Sequence, residues 1–120
     1  MRPAKWDLSE TILLVDAYFR LTTKDSNDYG RIGTELSALL RTKGAAEGKK
    51  VTDIFRNVTG VTMKLHNIEY LDTNGSKGLS TVSVADKWAF ELRRCELRLF
   101  YQAVQIERDK VRKIRTGGGP

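Results

Sequence analysis

The chain has 120 residues, 40% of them apolar, with one cysteine and a formal net charge of +6. That length suits one compact domain rather than two, and a lone thiol excludes an internal disulfide and any multi-thiolate metal site. No apolar run approaches the ~18 residues of a membrane span, and the start "MRPAKWDLSE" lacks the apolar core of an export signal, so no membrane partner and a reducing cytoplasm are expected.

The charge is uneven. Residues 1–48 carry seven basic and seven acidic side chains, residues 49–67 four and one, and residues 68–120 ten and seven, a balance of 0, +3 and +3. A neutral front and a basic rear suit a surface that meets phosphate, because Lys and Arg that displace condensed counterions bind nucleic acid whatever its sequence. Solubility alone is the competing explanation of such a balance.

In chain order, Leu8, Ile12, Val15 and Phe19 step at helical spacing, with Asp7 or Ser9 able to accept the free amides at the start, and predict an amphipathic helix over 8–22. Trp6 is expected to pack at its entrance. After the polar run "TTKDSND", Tyr29, Ile32, Leu36, Leu39 and Leu40 predict a second helix through about Arg41. The stretch "TKGAAEGKK", with two glycines and three lysines, reads as an exposed loop.

Next comes "FRNVTGVTMKLHNIEYLD". Ile54, Val58, Val61, Leu65 and Ile68 keep a helical period, but Gly60 inside a helix costs about 1 kcal/mol relative to Ala. The reading is therefore a short turn of helix over Thr52–Asn57, then a helix capped by Thr59 and running to about Tyr70, with Gly60 in its first turn. "LDTNGSKGLS" is dense in turn formers and predicts a loop or a small hairpin.

From Ser83, with Asp86 in the capping-box position, a single helix is expected to near Ile114. Its core stripe would be Val84, Trp88, Leu92, Cys95, Leu99, Ala103 and Ile106, which makes Cys95 a buried inert thiol. A second stripe of Leu97, Phe100, Tyr101, Val104 and Val111 predicts packing on two neighbours. "RTGGGP" reads as a Gly-rich linker, which sets the domain at 1–116 and the tail at 117–120.

Together these elements predict an all-α bundle of four to five helices, with a helix-turn-helix-like unit and a long C-terminal helix. Catalysis is not expected. The only histidine, His66, has no nucleophile motif around it, and no Walker loop, Rossmann fingerprint or HEXXH helix is present, so no catalytic residue, cofactor or metal ligand is predicted. If Val58, Val61, Leu65 and Ile68 face inward, Thr59, Thr62, Met63, His66 and Asn67 turn outward with Arg56 and Lys64 at the margins. Arg and Lys suit phosphate or guanine, Asn suits adenine, and Thr suits a phosphate or a thymine methyl. The predicted nucleic-acid contacts are Arg56, Asn57, Thr59, Thr62, Lys64, His66 and Asn67, with Lys49 and Lys50 on the backbone. The basic run Arg108, Lys110, Arg112, Lys113 and Arg115 is better explained by cations favouring a helix C-terminus.

The order from Trp6 to about Ile106 resembles a domain found at the N-terminus of bacterial HNH-type, often modification-dependent (McrA-like) restriction endonucleases and related defence proteins. Phe55, Arg56, Asn57, Gly60, Val61, Met63, Lys64, Leu65, Asn67, Leu71 and Asp72 carry that resemblance. It implies a module that recognises or positions double-stranded DNA, with a nuclease following in the parent protein. This chain holds no His-Asn-His metal motif, so no cleavage activity carries over. The rival expectation is a protein-interaction module, a phage or host-defence adaptor or a homodimer, acting through the long C-terminal helix.

Overall fold

A computed structural model describes residues 5–23 and 28–115. Five helices follow in order, α1 (Leu8–Thr23), α2 (Tyr29–Ala46), α3 (Val58–Asp72), α4 (Val84–Cys95) and α5 (Leu97–Arg115), with no strand among the described residues. The Cα radius of gyration, 14.0 Å, is close to the ~13.6 Å of a compact chain this long. Residues 24–27 and the tail 117–120 lie outside the described residues.

The first helix is the axis of the molecule. Asp7 accepts from the Glu10 amide at 2.8 Å while Glu10 accepts from the Asp7 amide at 3.0 Å, a reciprocal cap that starts α1. From Glu10 to Tyr18 every residue is buried, because α1 packs against all four other helices. A one-sided amphipathic helix was the expectation, and the apolar run "ILLV" is instead enclosed all round. Leu8, placed on the core stripe by its spacing, is exposed.

Asp28 caps α2 by accepting from the Arg31 amide at 2.9 Å. The helix does not stop at Arg41 but takes in half of the predicted loop, ending at Ala46. Tertiary packing explains the extension. Gly44 lies so close to the Phe55 ring that a Cβ there would stand 2.6 Å from a ring carbon, and Lys43 is buried with its ammonium paired to Glu47 and 3.9 Å from Glu107.

Residues 53–56 form a turn rather than a short helix, and Arg56 leaves it with φ of 49°, in the left-handed region. Asn57, not Thr59, is the cap of α3: its side chain accepts from the Gly60 amide at 2.8 Å. Gly60 does sit in the first turn, as expected. The loop after α3 folds back on it, with the Leu79 amide donating to the His66 carbonyl at 3.0 Å, and no hairpin forms there.

The Ser83–Asp86 capping box opens α4 as its spacing predicts, with reciprocal bonds of 2.9 and 3.1 Å. The long final helix is two helices. At Glu96 the backbone departs to φ −135° and ψ 63°, and the Glu96 carbonyl then accepts from the Phe100 amide to start α5. This bend keeps one buried stripe, Ala89, Phe100, Val104 and Val111, against the rest of the bundle. Of the predicted core stripe, Val84, Trp88, Cys95, Leu99 and Ile106 are exposed and Leu92 and Ala103 pack against the core, while Phe100, Val104 and Val111 of the second stripe are buried.

Candidate functional site

The cationic and amide side chains of the α3 region are mostly occupied inside the protein. Arg56 is 4% exposed; its Nε and Nη2 donate to the two carboxylate oxygens of Glu10 at 2.7 and 2.9 Å, and Nη2 also reaches the Lys5 carbonyl at 3.1 Å. The guanidinium carbon lies 5.0 Å from the Trp6 ring centroid and 4.5 Å from that of Phe55, so aromatic faces close the remaining sides. Lys64 donates to Asp86 at 2.7 Å, and Asp86 is fully buried.

Asn67 is buried too, donating to the Leu79 carbonyl at 3.0 Å and to Thr81 Oγ1 at 3.3 Å, which ties the following loop to α3. Asn57 is spent as the helix cap. Thr62 is half-buried over Gly33, where a Cβ would stand 2.5 Å from the Thr62 hydroxyl oxygen. Arg56 and Asn67 therefore do not face a polyanion, and Lys64 meets a carboxylate before it could meet a phosphate. Val61, Leu65 and Ile68 turn inward as the period of α3 predicts, but Val58 is exposed and Asn67 buried, and the partners that claim the polar residues come from α1, α4 and the loop.

Lys49 is likewise engaged, with Asp7 at 3.1 Å, Glu47 at 3.4 Å and Glu10 at 3.8 Å. Burial works against its charge, yet these acids outweigh burial and raise its pKa. Of the predicted contacts, Thr59 and Lys50 are exposed, and His66 is half-exposed. The His66 ring stacks on Tyr29 at 4.2 Å between centroids, and its Nδ1 lies 2.9 Å from Glu69 Oε1. Burial, with Glu69 and Asp72 nearby, pushes the Tyr29 hydroxyl up to about 12, and burial with the Asp72 bond raises Tyr18 further still. These are polar bridges between helices.

The outer face of α4 and α5 is a different kind of surface. Val84 is 76% exposed, Trp88 62%, Ile106 56% and Leu99 52%, with Cys95 between them. At about 100° per residue, Val84, Trp88 and Cys95 fall within a narrow sector opposite Asp86, which with Ala89 is what α4 buries most fully. Trp88 also borders a hollow of about 430 Å³ formed with Lys87, Glu91, Leu92, Cys95 and Glu96. Isolated exposed apolar residues are ordinary; here Val84 and Trp88 share one face of α4 with Cys95, and exposed Glu91, paired to Arg94, stands between Trp88 and Cys95. The residues are legible in the sequence as a stripe, but their period does not say which way it faces.

Among the described residues no group of His, Cys, Asp and Glu could hold a metal ion, and no helix is long and apolar enough to cross a membrane. No family model, no curated protein and no solved structure matches this chain.

Proposed function

We propose that this protein is an interaction module that pairs with a second copy of itself through the outer face of α4 and the start of α5. The exposed row Val84, Trp88, Cys95 and Leu99 carries this reading. A second copy laid antiparallel across a twofold axis sets Trp88 of each α4 against Cys95 of the other. The same register brings Lys87 to Glu96, and both are exposed with no ion pair of their own among the described residues. Such an isologous pairing makes one patch complementary to itself, and a central Trp is the side chain that most often dominates binding energy.

Sedimentation at rising concentration checks it. The wild-type chain is expected to be dimeric, and Trp88→Glu to weaken the dimer by at least about tenfold while leaving the denaturation midpoint near its wild-type value, since Trp88 lies outside the core. Lys87→Glu should also weaken the dimer, and adding Glu96→Lys should restore it. A wild-type chain that stays monomeric throughout would refute the pairing.

A second reading, binding to double-stranded DNA as a module of a defence nuclease, is favoured by the net charge of +6 and by Lys50, Lys77, Lys87 and Arg98, which are exposed and in no ion pair among the described residues. In that case Lys50→Gln should lower the log–log salt slope of a mobility-shift titration by about one. An unaltered slope removes Lys50 from the contact.

A further inference from the structure

Helices α1, α4 and α5 enclose a concavity of about 320 Å³ into which each contributes an arginine: Arg20, Arg93 and Arg108. A single acid lines it with them. Asp16, buried on α1, receives Arg20 Nε at 3.0 Å and Arg108 Nη2 at 3.1 Å, both on the same oxygen, Oδ2. Arg93 is in no ion pair among the described residues, and its guanidinium lies 3.7 Å from the Phe19 ring centroid. The buried Nε atoms of Arg93 and Arg108 have no acceptor there.

Arginine does not deprotonate in proteins, so the fixed positive charges of Arg93 and Arg108 face each other across this hollow, with Asp16 the one acid in its lining. Buried donors without acceptors cost stability, and closely set like charges repel more strongly where water is partly excluded. An oxyanion entering the hollow would offset that repulsion. Tyr101 and Gln105 add a hydroxyl and an amide to the wall, while Phe19 and Val104 make it apolar on another side. Glu35, which lines the neighbouring hollow that shares Arg20 and Arg108, is paired to Arg31 at 3.1 Å.

We propose that this concavity binds a phosphate group carried by a small organic molecule, with the phosphate between Arg93 and Arg108 and the organic part against Phe19, Tyr101 and Val104. The planar guanidinium fork matches phosphate oxygens two at a time. The volume falls at the small end of the ~300–1,000 Å³ typical of small-molecule sites, and a concave hollow of that size does not admit a duplex. The site is separate from the outer apolar row, so it stands or falls independently of the dimer.

The test is a titration of the full chain with pyrophosphate and, in parallel, with inorganic phosphate and a short DNA duplex, followed by amide NMR. Saturable pyrophosphate binding is expected, with shifts clustered at Asp16, Arg20, Arg93 and Arg108. Arg93→Gln should weaken it by about tenfold or more. Arg93→Lys keeps the charge but loses the fork, and should weaken binding several-fold even if the Gln variant fails to fold; Lys5→Gln, exposed at the far end of α1 from Arg20, should change nothing. No saturable binding by pyrophosphate or phosphate overturns the proposal. So does equal loss in Lys5→Gln, which would mean diffuse charge attraction, or a response at these residues to the duplex alone, which would give the phosphate a different source.

Discussion

Arg56→Ala is expected to cost about 3–5 kcal/mol of folding free energy, because it strips the partner from Glu10, which is 1% exposed. Removing Arg56 leaves the Glu10 carboxylate out of water with only Lys49, 3.8 Å away, as a counterion, a larger penalty than the net contribution of the pair itself. Replacing both, Arg56→Met with Glu10→Met, should therefore recover most of the loss. The backbone adds a second signature. Arg56 has φ of 49°, so Arg56→Gly should be about 1 kcal/mol less damaging than Arg56→Ala despite its floppier unfolded chain. Urea denaturation of the three variants decides the matter, and a loss below about 1 kcal/mol for Arg56→Ala would show that the pair is not buried as described. A DNA-contacting Arg56 would behave in the opposite way, weakening binding with stability intact.

Gly78→Ala should be the most damaging glycine substitution in the loop between α3 and α4. Its φ of 86° is costly for any L side chain, and an added Cβ would overlap the His66 carbonyl oxygen and stand 2.6 Å from the Tyr70 amide nitrogen, both on the α3 backbone. The loop has to lift, which breaks the Leu79 amide bond to His66 and the Asn67 bond to the Leu79 carbonyl. Strain and unmade hydrogen bonds together come to about 2–4 kcal/mol. Gly75→Ala, with φ of 88° but only the Tyr70 ring at 3.4 Å, should lose about 1 kcal/mol. Thermal denaturation and amide exchange at Leu79 read both. Equal losses in the two variants would mean that contact with α3 contributes nothing.

These two sites explain what the stretch from Phe55 to Asp72 does in this molecule. Most of the residues that carry the resemblance to restriction-associated domains have internal partners: Phe55, Val61 and Leu65 are buried, Arg56 holds Glu10, Lys64 holds Asp86, Asn57 caps α3 and Asn67 anchors the loop. The pattern marks how this region is built. Its polar members join α3 to α1, to α4 and to the loop between them, so their chemistry is spent on architecture before any partner arrives.

By itself the sequence determined the all-α class, the places where α1, α2 and α4 begin, and the Ser83–Asp86 box, because capping bonds and the 3.6-residue period are made between residues three or four apart. Glu96 shows the limit of such local chemistry, since the break there has no proline or glycine to announce it. Only the tertiary structure decided which of two opposite stripes on the C-terminal helices turns inward, and whether Arg56 meets solvent. A helix shows the same period whichever side is covered, and a partner 46 residues away leaves no trace in the local pattern.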